Sequence, residues 1–141
     1  RHTSWNLRSR DDLLPLFDNI ESADPDSIRR LAIVDTASGA LAGTIGLHTV
    51  STVNRSAELA YDFAPSHWGR GIASAVCEAV TAWAFAEGGF NRMQAVVLTS
   101  NAGSARVLQK CGYRYEGLLR AYKMVRGTPG DFAMYARLAT D

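Results

Sequence analysis

The segment Trp68-Gly69-Arg70-Gly71-Ile72-Ala73-Ser74 joins a run with the polarity period of a strand to a run with the period of a helix. Upstream, Ala57-Glu58-Leu59-Ala60-Tyr61-Asp62-Phe63 alternates and is closed by Pro65; downstream, Ile72, Val76, Val80 and Ala84 recur every four residues. Two glycines at such a strand-to-helix turn let the backbone approach a ligand with no Cβ in the way. The first helical turn also leaves N–H groups without intrahelical partners, a natural seat for an anion. A solvated helix start usually carries an acid or a capping side chain, yet the first acid after this turn is Glu78. Glycines and Arg70 are what a bound phosphate would call for.

The rest of the chain sets this turn in an α/β frame. Residues 1–12 suggest no element; Asp11 or Asp12 caps a helix to about Ile20, and Asp24-Pro25-Asp26 is a turn or helix start. Leu31 to Val34 reads as a strand, Asp35 to Gly39 as a hairpin loop, Leu41 to Val53 as a second strand, and Ser56 to Phe63 as a third, giving an antiparallel meander. Gly43 and Gly46 are tolerated in the second strand where a neighbour or ligand comes close. The helix from Gly71 ends at Gly88-Gly89, Met93 to Thr99 is a buried strand, and a shorter helix from Asn101 stops at Gly112. Tyr113 to Val125 forms a strand bent at Gly117, Arg126 to Gly130 a turn, and Phe132 to Leu138 the last strand. The crossover through the glycine-led helix makes its two flanking strands parallel neighbours.

At 141 residues the expectation is one domain spanning 1–141. A net charge of +1 argues against a nucleic-acid or anionic-membrane binder, and no apolar run reaches membrane-spanning length. Cys77 and Cys111 fit small buried hydrophobes of a reducing, cytoplasmic protein, and neither has metal-type spacing with His2, His48 or His67, so no metal site is expected. The chain starts at Arg1 without a methionine, as a trimmed product would.

A dinucleotide site would continue to a third glycine and an acid at the end of the next strand; here Ser74 and Leu98-Thr99-Ser100 stand in those places. The Gly-Lys-Ser/Thr of a triphosphate loop is absent. The turn instead resembles the Gln/Arg-x-x-Gly-x-Gly/Ala loop of the GNAT superfamily of acyl-CoA-dependent N-acetyltransferases, with Gly71 and Ala73 in the glycine positions and Trp68 replacing Gln/Arg. Asn101, Ser104, Val107, Leu108, Lys110, Gly112 and Tyr113 match a second pattern, Asn-x-x-Ser-x-x-Val-Leu-x-Lys-x-Gly-Tyr/Phe. That pattern is common in the branch acetylating protein N-termini, ribosomal ones included. The resemblance runs from about Ile33 to the C-terminus. It implies an α+β fold with a mixed, mostly antiparallel sheet flanked by helices. The family's opening strand and first helix find no room before Arg30, so the chain is expected to be short by some tens of residues, with part of the acceptor wall missing.

The resemblance implies acetyl-CoA as co-substrate and an amine acceptor, with no metal, in a monomer or homodimer. Backbone amides of Gly69, Arg70, Gly71, Ile72, Ala73 and Ser74 would hold the pyrophosphate, Arg70 adding charge. Backbone of Tyr61, Phe63 and Ala64 would pair with the pantetheine arm where the third strand splays from the next, and Trp68 and Lys110 complete the donor set. Asn101 either caps the second helix or bonds the pantetheine. Ser104 is implied as the group that protonates or steadies the thiolate. Glu58, on the strand face shared with Ala60 and Asp62, is the chosen base. His48 and His67 are less suited by position, and Tyr113 and Tyr115 are alternative acids. Without a Gly-x-Ser-x-Gly elbow, direct attack of the amine on the thioester is the simpler route. The expected acceptor is a protein or peptide α-amino group; a small amine or antibiotic, or a non-catalytic acyl-CoA-binding module, are the competing readings.

Overall fold

The computed structural model describes residues 3–6, 29–63 and 71–141. Its strands are β1 (Thr3–Asn6), β2 (Arg29–Val34), β3 (Leu41–Ser51), β4 (Ser56–Phe63), β5 (Arg92–Leu98), β6 (Arg114–Val125) and β7 (Thr128–Leu138). The two helices among the described residues are α1 (Ile72–Ala86) and α2 (Ala102–Lys110). One sheet orders the strands β1-β2-β3-β4-β5-β7-β6. Neighbours run antiparallel except β1 with β2 and β4 with β5, so the sheet is mixed and mostly antiparallel, as the alternating segments imply.

Two segments differ from expectation. β1 stands at Thr3–Asn6, where the sequence suggested no element and no room for an opening strand. Four residues are too few for a polarity period to show, and the partner strand lies far along the chain. The last hairpin turns on Arg126-Gly127 alone, so β7 begins at Thr128. Both turn residues take positive φ, 50° and 81°, the two-residue type I′ geometry that matches strand twist. The helix suggested up to Ile20 and the turn at Asp24-Pro25-Asp26 lie outside the described residues.

Both helices pack on one face of the sheet. That face carries Leu31, Ile33, Ile45, Leu47, Ala57, Leu59, Met93, Ala95 and Val97, which join Val76, Cys77, Val80, Trp83 and Ala84 of α1 and Leu108 of α2 in one core. Trp83, 1% exposed, is the largest of these; a core side chain of that size is worth about 3–5 kcal/mol against alanine. Tyr113 also enters this core, where its hydroxyl meets Thr81 Oγ1 at 2.7 Å. α1 unwinds at Gly89 (φ 74°) and α2 at Gly112 (φ 83°), the left-handed closures that glycine makes cheap.

The ladder between β4 and β5 ends early. Only Ser56 with Arg92, Ala57 with Met93, and Glu58 with Gln94 are paired. Beyond them β4 stays on β3 as far as Gly43–Phe63, while β5 stays on β7 as far as Leu98–Phe132. The two strands therefore part, and the gap opens toward the start of α1.

Candidate active site

A groove of about 740 Å³ occupies the open end of that gap. Tyr61 and Phe63 of β4 form one wall, and Gly71, Ile72, Ala73 and Ser74 supply the start of α1. Asn101, Ser104 and Lys110 come from the loop after β5 and from α2. Nine residues singled out from sequence are thus brought together. Ala64, Trp68, Gly69, Arg70 and His67 lie outside the described residues.

The helix start is open. Gly71 is its N-cap with φ 74°, no side chain among the described residues caps it, and no acid stands in the first turn. The first bond of the helix runs from Ala75 N–H to Gly71 O, so the amides of Ile72, Ala73 and Ser74 precede the internal ladder. Arg106 and Lys110, neither of them in an ion pair among the described residues, add positive charge to the same groove. Partial positive charge from the amides and full charge from two cations make one basin suited to an anion.

Arg106 was not named as a site residue from sequence, nor were Asp62, Ser100 and Gly103, which also line the groove; Val107, another lining residue, was named only as part of the second pattern. A signal was available. Gly103, Arg106, Val107 and Lys110 follow the spacing of one helical face, so Lys110 alone could have led back to them.

Asn101 acts as the N-cap of α2, its Oδ1 accepting the Ser104 N–H at 3.1 Å. The Ser104 hydroxyl meets the Tyr61 hydroxyl at 2.9 Å, and Tyr61 also reaches the Ser104 carbonyl at 3.4 Å. Burial pushes the Tyr61 phenol well above its ordinary ionisation range, so the ring stays neutral. At the far end of α2, Cys111 Sγ donates to Ser74 O at 3.4 Å, tying that end to the first turn of α1. Contact with Cys111, reinforced by burial, pushes the Cys77 thiol up, which leaves it a poor nucleophile.

Glu58 is not on the groove. Ala57 and Leu59, its strand neighbours, point into the helix-covered core, so Glu58 stands on the other face of the sheet. It sits where β4 and β5 make their last pair. There Gln94 Nε2 donates to Glu58 Oε2 at 3.3 Å, Arg92 Nε donates to Gln94 Oε1 at 3.0 Å, and Arg92 holds Glu116 through two bonds of 3.2 and 2.8 Å. The paired Arg92 guanidinium holds the Glu116 carboxyl below the usual range. His48 occupies the β3 position opposite Glu58. The other tyrosines are placed otherwise: burial pushes the Tyr113 phenol far up in the core, and Tyr115 is exposed, its ring edge-on to Tyr135.

Residues 1–114 match the family model described as an acetyltransferase (GNAT) domain, a match that starts well before Ile33. The uncharacterized N-acetyltransferase YoaA of Bacillus subtilis is 43% identical over 96 residues, covering 68% of this chain and 54% of that protein. The spermidine N(1)-acetyltransferase of Vibrio cholerae is 27% identical over 106 residues, 75% of this chain and 61% of that protein. The chain thus spans little more than half the length of these curated relatives. Among solved structures, the ribosomal-protein-S5-alanine acetyltransferase from Vibrio fischeri superposes with a TM-score of 0.79 at 20% identity, over 93% of this chain and 70% of that one. A parted β4–β5 pair, an uncapped glycine-led helix and the family match over most of the chain lead to one conclusion: this chain belongs to the GNAT acetyltransferase family.

Proposed function

We propose that the chain transfers an acetyl group from acetyl-CoA to the α-amino group of a protein or peptide, by direct attack of the amine on the thioester. The observation that carries this reading is the early end of the β4–β5 ladder, with an anion-suited groove on one side of the gap and a carboxylate at its vertex. In this reading the amides of Ile72, Ala73 and Ser74 take the pyrophosphate. Arg106 and Lys110 lie along the same charged ligand. The pantetheine arm enters the gap beside Tyr61 and Phe63 and delivers its thioester toward the vertex. The amine approaches from the other face, where Glu58 accepts its proton directly or through water. Ser104 steadies the sulfur as it leaves.

The choice of an α-amine rests on acidity. Such amines have a reference pKa near 7.7–8.0, against about 10.4 for a lysine-like alkylamine. The difference of roughly 2.5 units means about 3.4 kcal/mol less work for the base at neutral pH. A single glutamate held by Gln94 is matched to the easier task. The similarity to a spermidine acetyltransferase supports a second reading, a small polyamine acceptor, for which Glu58 and Asp62 on one strand face would supply the attraction.

A thiol-release assay with acetyl-CoA decides between them. Turnover on an alanine-led peptide well above that on spermidine is expected. The reverse order would transfer the reading to polyamines, and acetyl-CoA binding without turnover on any amine would overturn catalysis altogether.

A further inference from the structure

Tyr61 has a feature that its backbone role in donor binding does not use. Its side chain leaves β4 on the helix face, crosses the open end of the β4–β5 gap, and ends on Ser104 of α2, 43 residues along the chain. Both oxygens in reach belong to that one residue: the hydroxyl at 2.9 Å and the carbonyl at 3.4 Å. Tyr61 has one proton to give: the hydroxyl is the nearer acceptor at 2.9 Å, and the carbonyl at 3.4 Å is the longer, competing one. A phenol is a better donor than an aliphatic alcohol, which sets the direction of the shorter bond.

We propose that Tyr61 is a positioning residue for acetyl transfer: by donating to Ser104 Oγ it occupies one acceptor direction of that hydroxyl and turns the single Ser104 proton into the groove, toward the departing sulfur. The proposal rests on the reading of Ser104 as the group that steadies the thiolate. No proton leaves Tyr61. As the amine nitrogen forms its bond to the acetyl carbon and the C–S bond breaks, the sulfur keeps the bonding pair, and the Ser104 O–H points at the charge that develops there. The amine proton goes to the base. Three anchors fix Ser104 for this: its own N–H on Asn101 Oδ1, its place in the first turn of α2, and the Tyr61 hydroxyl. Tyr61 is itself braced by the Phe63 ring at 5.9 Å.

The test measures kcat and KM by thiol release for the wild-type chain, Tyr61→Phe, Ser104→Ala and the double variant, with acetyl-CoA and an alanine-led peptide or spermidine as acceptor. Tyr61→Phe keeps the ring and removes the hydroxyl. It is expected to lower kcat about tenfold, with KM for acetyl-CoA within about twofold and the melting temperature close to wild type. In the Ser104→Ala background the same change is expected to cost nothing further, because the group it orients is gone. Should Tyr61→Phe fold poorly, 3-fluorotyrosine in place of Tyr61 retains the hydroxyl and is expected to hold kcat within about twofold. Tyr61→Phe at full rate beside an impaired Ser104→Ala overturns the role of Tyr61 and leaves that of Ser104 standing. Losses that multiply in the double variant overturn it too, since Tyr61 would then act apart from Ser104. Ser104→Ala at full rate removes both.

Discussion

Gly43→Ala tests whether the end of β4 is held where the donor groove needs it. Gly43 pairs with Phe63, the last residue of β4. A Cβ added there would land on the carbonyl oxygen of Asp62, 2.9 Å from Phe63 Cα and 3.1 Å from Asp62 C. All three atoms are backbone, so no rotamer change relieves the clash. Restoring ordinary contact moves the Asp62–Phe63 backbone by about 1 Å and breaks the end of the β3–β4 ladder. Overpacking of this kind costs about 1–3 kcal/mol and the lost ladder bond about 1 more. For a chain of this length, each kcal/mol shifts the melting temperature by about 3 °C, so a fall of roughly 6–12 °C is expected. Because Phe63 lines the groove, KM for acetyl-CoA should rise about tenfold with it. Gly39→Ala is the control. Nothing lies within 4 Å of its added Cβ, and its φ of 72° costs only about 1 kcal/mol, so it should lower the melting temperature slightly and leave KM alone. Thermal melts and acetyl-CoA saturation curves read both quantities. A Gly43→Ala chain with the stability and KM of the wild type would refute the argument. A fall in stability alone would show that the end of β4 is not a wall of the donor site.

Gly71→Glu adds a negative charge at the helix start as well as backbone strain, whereas Gly71→Ala adds the strain alone at φ 74°. Calorimetric titration with acetyl-CoA should show at least tenfold weaker binding for glutamate than for alanine, and equal affinities would mean that no anion sits there. Glu58→Gln should lower kcat/KM about 100-fold near neutral pH, with the deficit shrinking as pH rises toward the pKa of the amine. A deficit that stays constant with pH would remove Glu58 as base. Tyr113→Phe removes the buried bond to Thr81 Oγ1 and should cost about 1 kcal/mol by denaturant titration with kcat unchanged. Loss of rate without loss of stability would make Tyr113 an acid after all.

Periodic segments were the most legible part of this chain. The β2–β3–β4 meander and both helices follow from alternation and four-residue spacing, because each buries one face against the same core. Parallel pairing of β4 with β5 followed from the crossover alone. β1 was hidden because four residues carry no period. The last turn was read too long because Pro129 and Gly130 look like turn residues. They sit in β7 past the reach of β5, where a missing donor on that side breaks no ladder. The groove was legible where glycine chemistry or the Asn101–Lys110 pattern marked it. Alternation told that Glu58 and Tyr61 point apart, but not which of them faces the helices. Only the packing of α1 and α2 decides that, and it puts Tyr61 in the groove and Glu58 behind it.

The short β4–β5 ladder also makes the sheet two plates on a pivot. β1 to β4 form one plate and β5, β7 and β6 the other, joined by three residue pairs and by the core beneath the helices. A small rotation between the plates moves Phe63 and Leu98, at the wide end, much farther than Glu58 and Gln94, which sit on the axis. In the proposed reading the flexible arm of the donor would enter at this wide end, where such a rotation has most effect, and the carboxylate would sit where it has least.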